Sequence, residues 1–270
     1  MPVRPLVAVL GLLVLAGCTS GAADRPSASP VATASPAASS APAMQAVTGT
    51  PSTSASRTKR ARPPTSPKPT AHAGRLPLSY STGSARQVIT VVAGAEPDTR
   101  ATVQAWRRVA GGWRRVGPAV AAWLGADGMT PHPSEQLSAV PMGSYSLTQA
   151  FGHDPNPGTA LRYVQTDPSY WWISQPGPLY NTMQHCSSGC AFTQGAPNEH
   201  LYYETPFYNY AVVIDYNRDP VQQGAGSAFF LHVSVGAPTA GCVSIDQAQL
   251  VRIMGWLEPR DDPRILIGTG

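Results

Sequence analysis

The run FFLHVSVGAPTAGCVSI, Phe229 to Ile245, decides how the chain is read. Phe229, Phe230, Leu231 and Val233 are aromatic and branched residues suited to a buried strand, and His232 sits among them near the end of that run. Gly236, Pro238 and Gly241 then punctuate a tight loop. Cys242 follows, ahead of a second apolar run from Val243 to Ile245. Strand, loop and strand therefore put a base and a nucleophile at facing ends. A free thiol titrates near about 8.5, and a neighbouring imidazole lowers that value and supplies thiolate at neutral pH. Cys242 is expected to attack an amide carbonyl with His232 as its base. Backbone N–H groups of the Thr239, Ala240, Gly241 turn would hold the oxyanion, Gly241 leaving room for the tetrahedral intermediate. The alternative is a small buried thiol beside a satisfied core histidine.

Working outward, residues 75–270 are enough for one domain with a substantial core. Short apolar runs separated by Gly, Pro and Asp turns predict a mainly β architecture. Strands are expected at Gln87 to Ala93, Thr102 to Val109, Trp113 to Val116, Ala119 to Leu124, Ser144 to Gln149 and Arg264 to Gly268, with Gly111 and Gly112 turning a hairpin. After the cysteine, Asp246 is a good N-cap. Leu250, Ile253, Met254 and Leu257 recur at helical spacing, predicting a short amphipathic helix packed on one face. Between Phe151 and Phe207 the chain is rich in proline and aromatics and weak in periodicity, which reads as an ordered loop layer. Its amphipathic rings, Tyr163, Trp171, Trp172 and Tyr180, suit the lining of a substrate cleft or packing against the sheet.

The N-terminal part reads differently. Arg4, the apolar Leu6 to Leu15 and the tetrapeptide Leu15-Ala16-Gly17-Cys18 form a lipoprotein signal peptide over residues 1–18. Acylation of Cys18 with two or more chains would anchor the protein stably in a membrane; an ordinary secretory signal is the alternative. Residues 19–74 contain no aromatic, leucine or isoleucine residue. Such a stretch cannot bury enough apolar surface to offset its ordering entropy, so a disordered tether is expected. The formal net charge of the chain is +4, but its basic residues cluster in the tether at Arg57 to Arg62, and the remainder is slightly acidic. That distribution excludes a nucleic-acid groove in the folded part.

In an exported chain, Cys186 and Cys190 most simply form a disulfide. His185 and His200 beside them make zinc ligation the alternative. With Cys18 acylated and Cys186 paired to Cys190, Cys242 is left as a lone thiol outside the cell, which favours a catalytic use.

The order histidine then TAGCVSI resembles the signature of the L,D-transpeptidase catalytic domain, the cysteine enzymes of bacterial peptidoglycan. VPMGSYSLTQAFG, Val140 to Gly152, is similar to that family's "TPxGxF" segment, and YAVVIDYN, Tyr210 to Asn217, to the strand preceding the catalytic one. The resemblance spans roughly Arg86 to Gly268. Many members read SHGCxR, whereas Ala240 stands where a histidine often sits, Ser244 replaces the arginine, and Val233 follows the catalytic histidine. Arg218 or Arg252 would have to substitute for that arginine, and Asp215, Glu199 or a backbone carbonyl would orient His232. The resemblance implies a β-sandwich, no metal or other cofactor, and acyl transfer from the tetrapeptide stem of peptidoglycan by a monomer held at the outer face of the cell membrane. A carboxypeptidase, or a wall-binding lipoprotein that has lost the reaction, are the alternatives.

Overall fold

The computed structural model describes residues 73–270. The signal peptide, Cys18 and nearly all of the expected tether lie outside the described residues. The described chain is mainly β. Its strands are β1 (Gln87–Ala93), β2 (Arg100–Val109), β3 (Gly112–Trp123), β4 (Met129–Thr130), β5 (Val140–Pro141), β6 (Gly143–Ser146), β7 (Gln149–Gly152) and β8 (Arg162–Gln165). They continue with β9 (Tyr170–Ile173), β10 (Thr182–His185), β11 (Glu199–His200), β12 (Ala211–Val213), β13 (Phe230–Val233), β14 (Val243–Ile245) and β15 (Arg264–Thr269), and the α-helix is α1 (Gln247–Trp256). No helix among the described residues is long and apolar enough to cross a membrane.

Ten strands form one mixed sheet in the order β6-β15-β1-β2-β3-β14-β13-β12-β7-β8. The long β3 joins its halves, pairing with β2 along its length and with β14 at Ala122 and Trp123. Ile89 and Val91 from one half share a core with Val212, Leu231 and Val233 from the other. The sheet is therefore curled around common apolar contents. Helix α1 adds Leu250, Ile253 and Met254 to that core, and Asp246 caps it by accepting from Gln249 N at 3.1 Å. Its other end is held by the buried Gln87, whose Nε2 donates to Trp256 O at 2.5 Å and whose Oε1 accepts from Glu258 N at 2.8 Å. The first bond satisfies a carbonyl that the helix C-terminus leaves open, and the second ties down the chain as it leaves the helix.

Several expectations change in detail. Gly74 already pairs with Trp113 through two backbone bonds of 2.8 and 2.9 Å, so the folded part begins before residue 75. The two strands expected on either side of Gly117 are one, β3. A bulge at Gln104 absorbs the irregularity, and the Gln104 amide donates to Val116 O at 3.1 Å. The strand expected from Ser144 to Gln149 is broken between β6, which pairs with β15, and β7, which pairs with β12. The aromatic segment from 151 to 207 is not only loop: β9 lies between β10 and β11 in a separate three-stranded sheet.

Candidate active site

Alternation along β13 divides its side chains between two faces. Leu231 and Val233 enter the main core, while Phe230 joins a second cluster containing Cys242, Tyr208 and Trp172. His232 follows Phe230 by two residues and so lies on that second face, edge-on to Tyr208 with ring centroids 5.6 Å apart. Parallel pairing of β13 with β14 sets Leu231 beside Val243 and His232 beside Ser244. Cys242, one residue before β14, is thus level with Phe230. Cys242, His232 and Ser244 line one cavity of about 500 Å3. The structure brings Cys242 and His232 to the same cavity, each hydrogen-bonded to backbone groups and not to the other.

Their resting chemistry differs from the expected thiolate. Cys242 is the free cysteine among the described residues and is buried. Its Sγ accepts from Phe230 N at 3.3 Å and donates to Ala228 O at 3.4 Å. Burial pushes the thiol well above its usual range and the Glu199 carboxyl adds to the rise, while the Phe230 N–H opposes it. His232 is lowered to about 4 by burial, against a smaller opposing effect of its bond to Val233. The resting pair is a neutral thiol and a neutral imidazole. His232 Nδ1 lies 2.8 Å from Val233 O. A carbonyl only accepts, so Nδ1 carries the proton and Nε2 remains basic. Of the orienting groups weighed from sequence, the backbone carbonyl fills the role. Asp215 instead accepts from Thr148 Oγ1 at 2.8 Å, and Glu199 from Tyr208 at 2.5 Å.

The turn before the cysteine is tied from both sides. Thr239 N donates to Leu124 O at 2.8 Å, Gly241 N to Thr239 Oγ1 at 3.2 Å, and Thr239 Oγ1 to Cys242 O at 2.6 Å. The amides of Thr239 and Gly241 are therefore committed. Those of Ala240 and Cys242 have no protein acceptor among the described residues and are the oxyanion donors the turn offers. Gly241 has φ +130°, a conformation that side chains rarely adopt. Its glycine is required by the backbone path, beyond the space expected for an intermediate. Ala228, which accepts from the thiol, is also left-handed at φ +58°. Asn181 steadies this segment: its Oδ1 accepts from Ala228 N at 3.2 Å and from Trp172 Nε1 at 3.0 Å.

The rings singled out from sequence do not line this cavity. Trp172 and Tyr180 are buried, as is Trp171 against Phe192, and the Tyr163 hydroxyl donates to Asp154 O at 2.6 Å. Tyr180 reaches the site indirectly, bonding Glu135, which does line it. The aromatic lining is Phe229, read from sequence as a strand residue, with Phe207 and Tyr208, which sequence reasoning passed over. Their signal was the run from Glu199 to Tyr210, where glutamates alternate with aromatics. Arg218 and Arg252 do not replace the motif arginine. Arg218 stacks on Trp172, 5.0 Å from its ring centroid, and Arg252 bonds Gln249 along the helix at 2.7 Å. The cavity contains Glu135, Glu199 and Glu204 and no lysine or arginine.

Cys186 and Cys190 form a disulfide with Cα atoms 5.8 Å apart. Disulfide sulfurs are not thiolate ligands, which removes the zinc alternative. His185 turns toward Asp167 at 4.0 Å, and His200 packs on Trp171 with centroids 4.3 Å apart. Comparison with known proteins finds no matching family model, curated protein or solved structure.

Proposed function

We propose that the protein is a peptidoglycan L,D-transpeptidase, its curled sheet a version of that family's β-sandwich and Cys18 its lipid anchor at the outer face of the cell membrane. The observation that carries the reading is the presence in one cavity of Cys242 and a His232 whose Nδ1 proton is held by Val233 O, leaving Nε2 with its lone pair. Because both groups rest neutral, the thiol proton passes to Nε2 as the sulfur attacks, rather than beforehand. The S–C bond forms at the carbonyl between the third and fourth stem residues, and the amides of Cys242 and Ala240 receive the oxyanion. The C–N bond then breaks, and the departing D-alanine amine takes the proton from His232. An amine of a second stem attacks the thioester, giving its proton to His232 and releasing the sulfur as thiol. Water in place of that amine makes the same site a carboxypeptidase.

The cavity without arginine and the thiol tied to the main chain favour a second reading, a peptidoglycan-binding lipoprotein without turnover. Incubation with a carbapenem, an acylating β-lactam, separates the two. The enzyme gains the mass of one adduct at Cys242 and the Cys242→Ala variant gains none. A protein that binds muropeptides while its thiol stays unmodified is the binding module.

A further inference from the structure

A second pocket, of about 300 Å3, opens at the β7, β8, β9 and β10 edge and is lined by Arg162, His185, Arg218, Gln149, Gln184 and Thr182 among others. Its charge is opposite to that of the cavity at Cys242: it contains two arginines and a histidine and no aspartate or glutamate. Neither arginine side chain makes a hydrogen bond or ion pair to protein among the described residues, and Arg218 Nη1 is buried with no partner. Asp215 acts on it electrostatically but forms no ion pair with it, its carboxylate accepting instead from Thr148 at 2.8 Å. His185 packs on the Tyr170 ring with centroids 4.7 Å apart, and its charged neighbour is the exposed Asp167 at 4.0 Å. A buried guanidinium nitrogen without an acceptor is costly, and arginines left unpaired in a polar recess are the recognition groups of planar or tetrahedral oxyanions.

We infer that this pocket binds an oxyanion, a phosphate or carboxylate group, through Arg218 and Arg162 with His185 at its rim. Arg218 is fixed for the task by stacking on Trp172. Trp172 in turn packs edge-on against Phe230 at 4.9 Å, so the site lies behind the wall that carries Cys242. It does not depend on the transpeptidase reading.

The test titrates the full chain with inorganic phosphate and separately with acetate, against chloride at equal ionic strength, following binding heat and Tm. Saturable binding of at least one anion is expected, weakened by about tenfold or more in Arg162→Gln. That residue is exposed, so its replacement leaves folding intact; Arg218→Gln extends the loss. Tighter phosphate assigns a phosphoryl group, tighter acetate a carboxylate. No saturable response to either anion at millimolar concentration, or binding unchanged by Arg162→Gln, overturns the site.

Discussion

The Tyr208 hydroxyl donates to Glu199 Oε2 at 2.5 Å, placing a carboxyl and a phenol in the wall of the cavity that Cys242 lines. Glu199 is delivered by β11, where it pairs with Trp172 of β9. Burial raises it to about 7, the Tyr208 bond pulling the other way. Above that pH its charge opposes formation of the Cys242 thiolate. Glu199→Gln removes the charge, so alkylation of Cys242 by neutral iodoacetamide at pH 8 is expected to quicken by up to about tenfold, one pKa unit of thiol ionisation. At pH 5.5, where the parent's Glu199 is protonated and so as neutral as the glutamine that replaces it, the rates converge. Equal rates at both pH values would sink this account.

The same carboxyl and His232 act oppositely on stability. Glu199 binds a proton more tightly folded than unfolded, so its contribution falls as pH rises from the ordinary carboxyl value of 4.5 to about 7. His232 binds one less tightly, so its contribution is present above 6.5 and falls as pH drops toward about 4. The slopes cancel where these windows overlap. Denaturant unfolding of the native protein is expected to vary little there on their account, whereas Glu199→Gln exposes the His232 slope, at most about 3 kcal/mol. A variant as flat as the parent contradicts it.

Gly241→Ala tests the turn. At φ +130° an added Cβ would also stand 3.2 Å from the Phe229 ring. Backbone strain of about 1 to 3 kcal/mol is expected, together with displacement of the adjacent Cys242 amide. Carbapenem acylation should slow by more than tenfold, about 1.4 kcal/mol of barrier, while far-UV circular dichroism is unchanged.

Replacing Cys186 and Cys190 together by serine opens a short loop whose closure is worth about 2 kcal/mol by chain entropy. The loss should appear in urea midpoints. Because this bridge packs with Trp171, Ile173 and Phe192 and not with the cavity, Cys242 reactivity should stay at the parent level.

Phe229 to Ile245 disclosed the two strands and the turn that carry His232 and Cys242, because strand alternation and loop glycines are local signals. Asp246 and the spacing of Leu250, Ile253 and Met254 disclosed the helix for the same reason. What the run could not disclose was distance and solvent. Burial of Cys242 comes from Phe230, Tyr208 and Trp172, the last from a segment whose pairing into β9 depends on partners before and after it in the chain. That burial turned the expected ion pair into neutral partners. Trp171, Trp172 and Tyr180 read as cleft rings because amphipathic aromatics suit either role, and only assembly of the small sheet shows them turned inward. The break between β6 and β7 likewise follows from their different sheet partners, one near the chain's end.

Glu135, Glu199 and Glu204 around a recess with no lysine or arginine and a neutral His232 make its mouth a region of negative potential at neutral pH. Molecules bearing a net negative charge arrive there against a repulsion that dissolved ions attenuate over roughly 8 to 10 Å at ordinary ionic strength. Encounter with an anionic β-lactam should therefore accelerate as sodium chloride is added, while encounter with a cationic one slows.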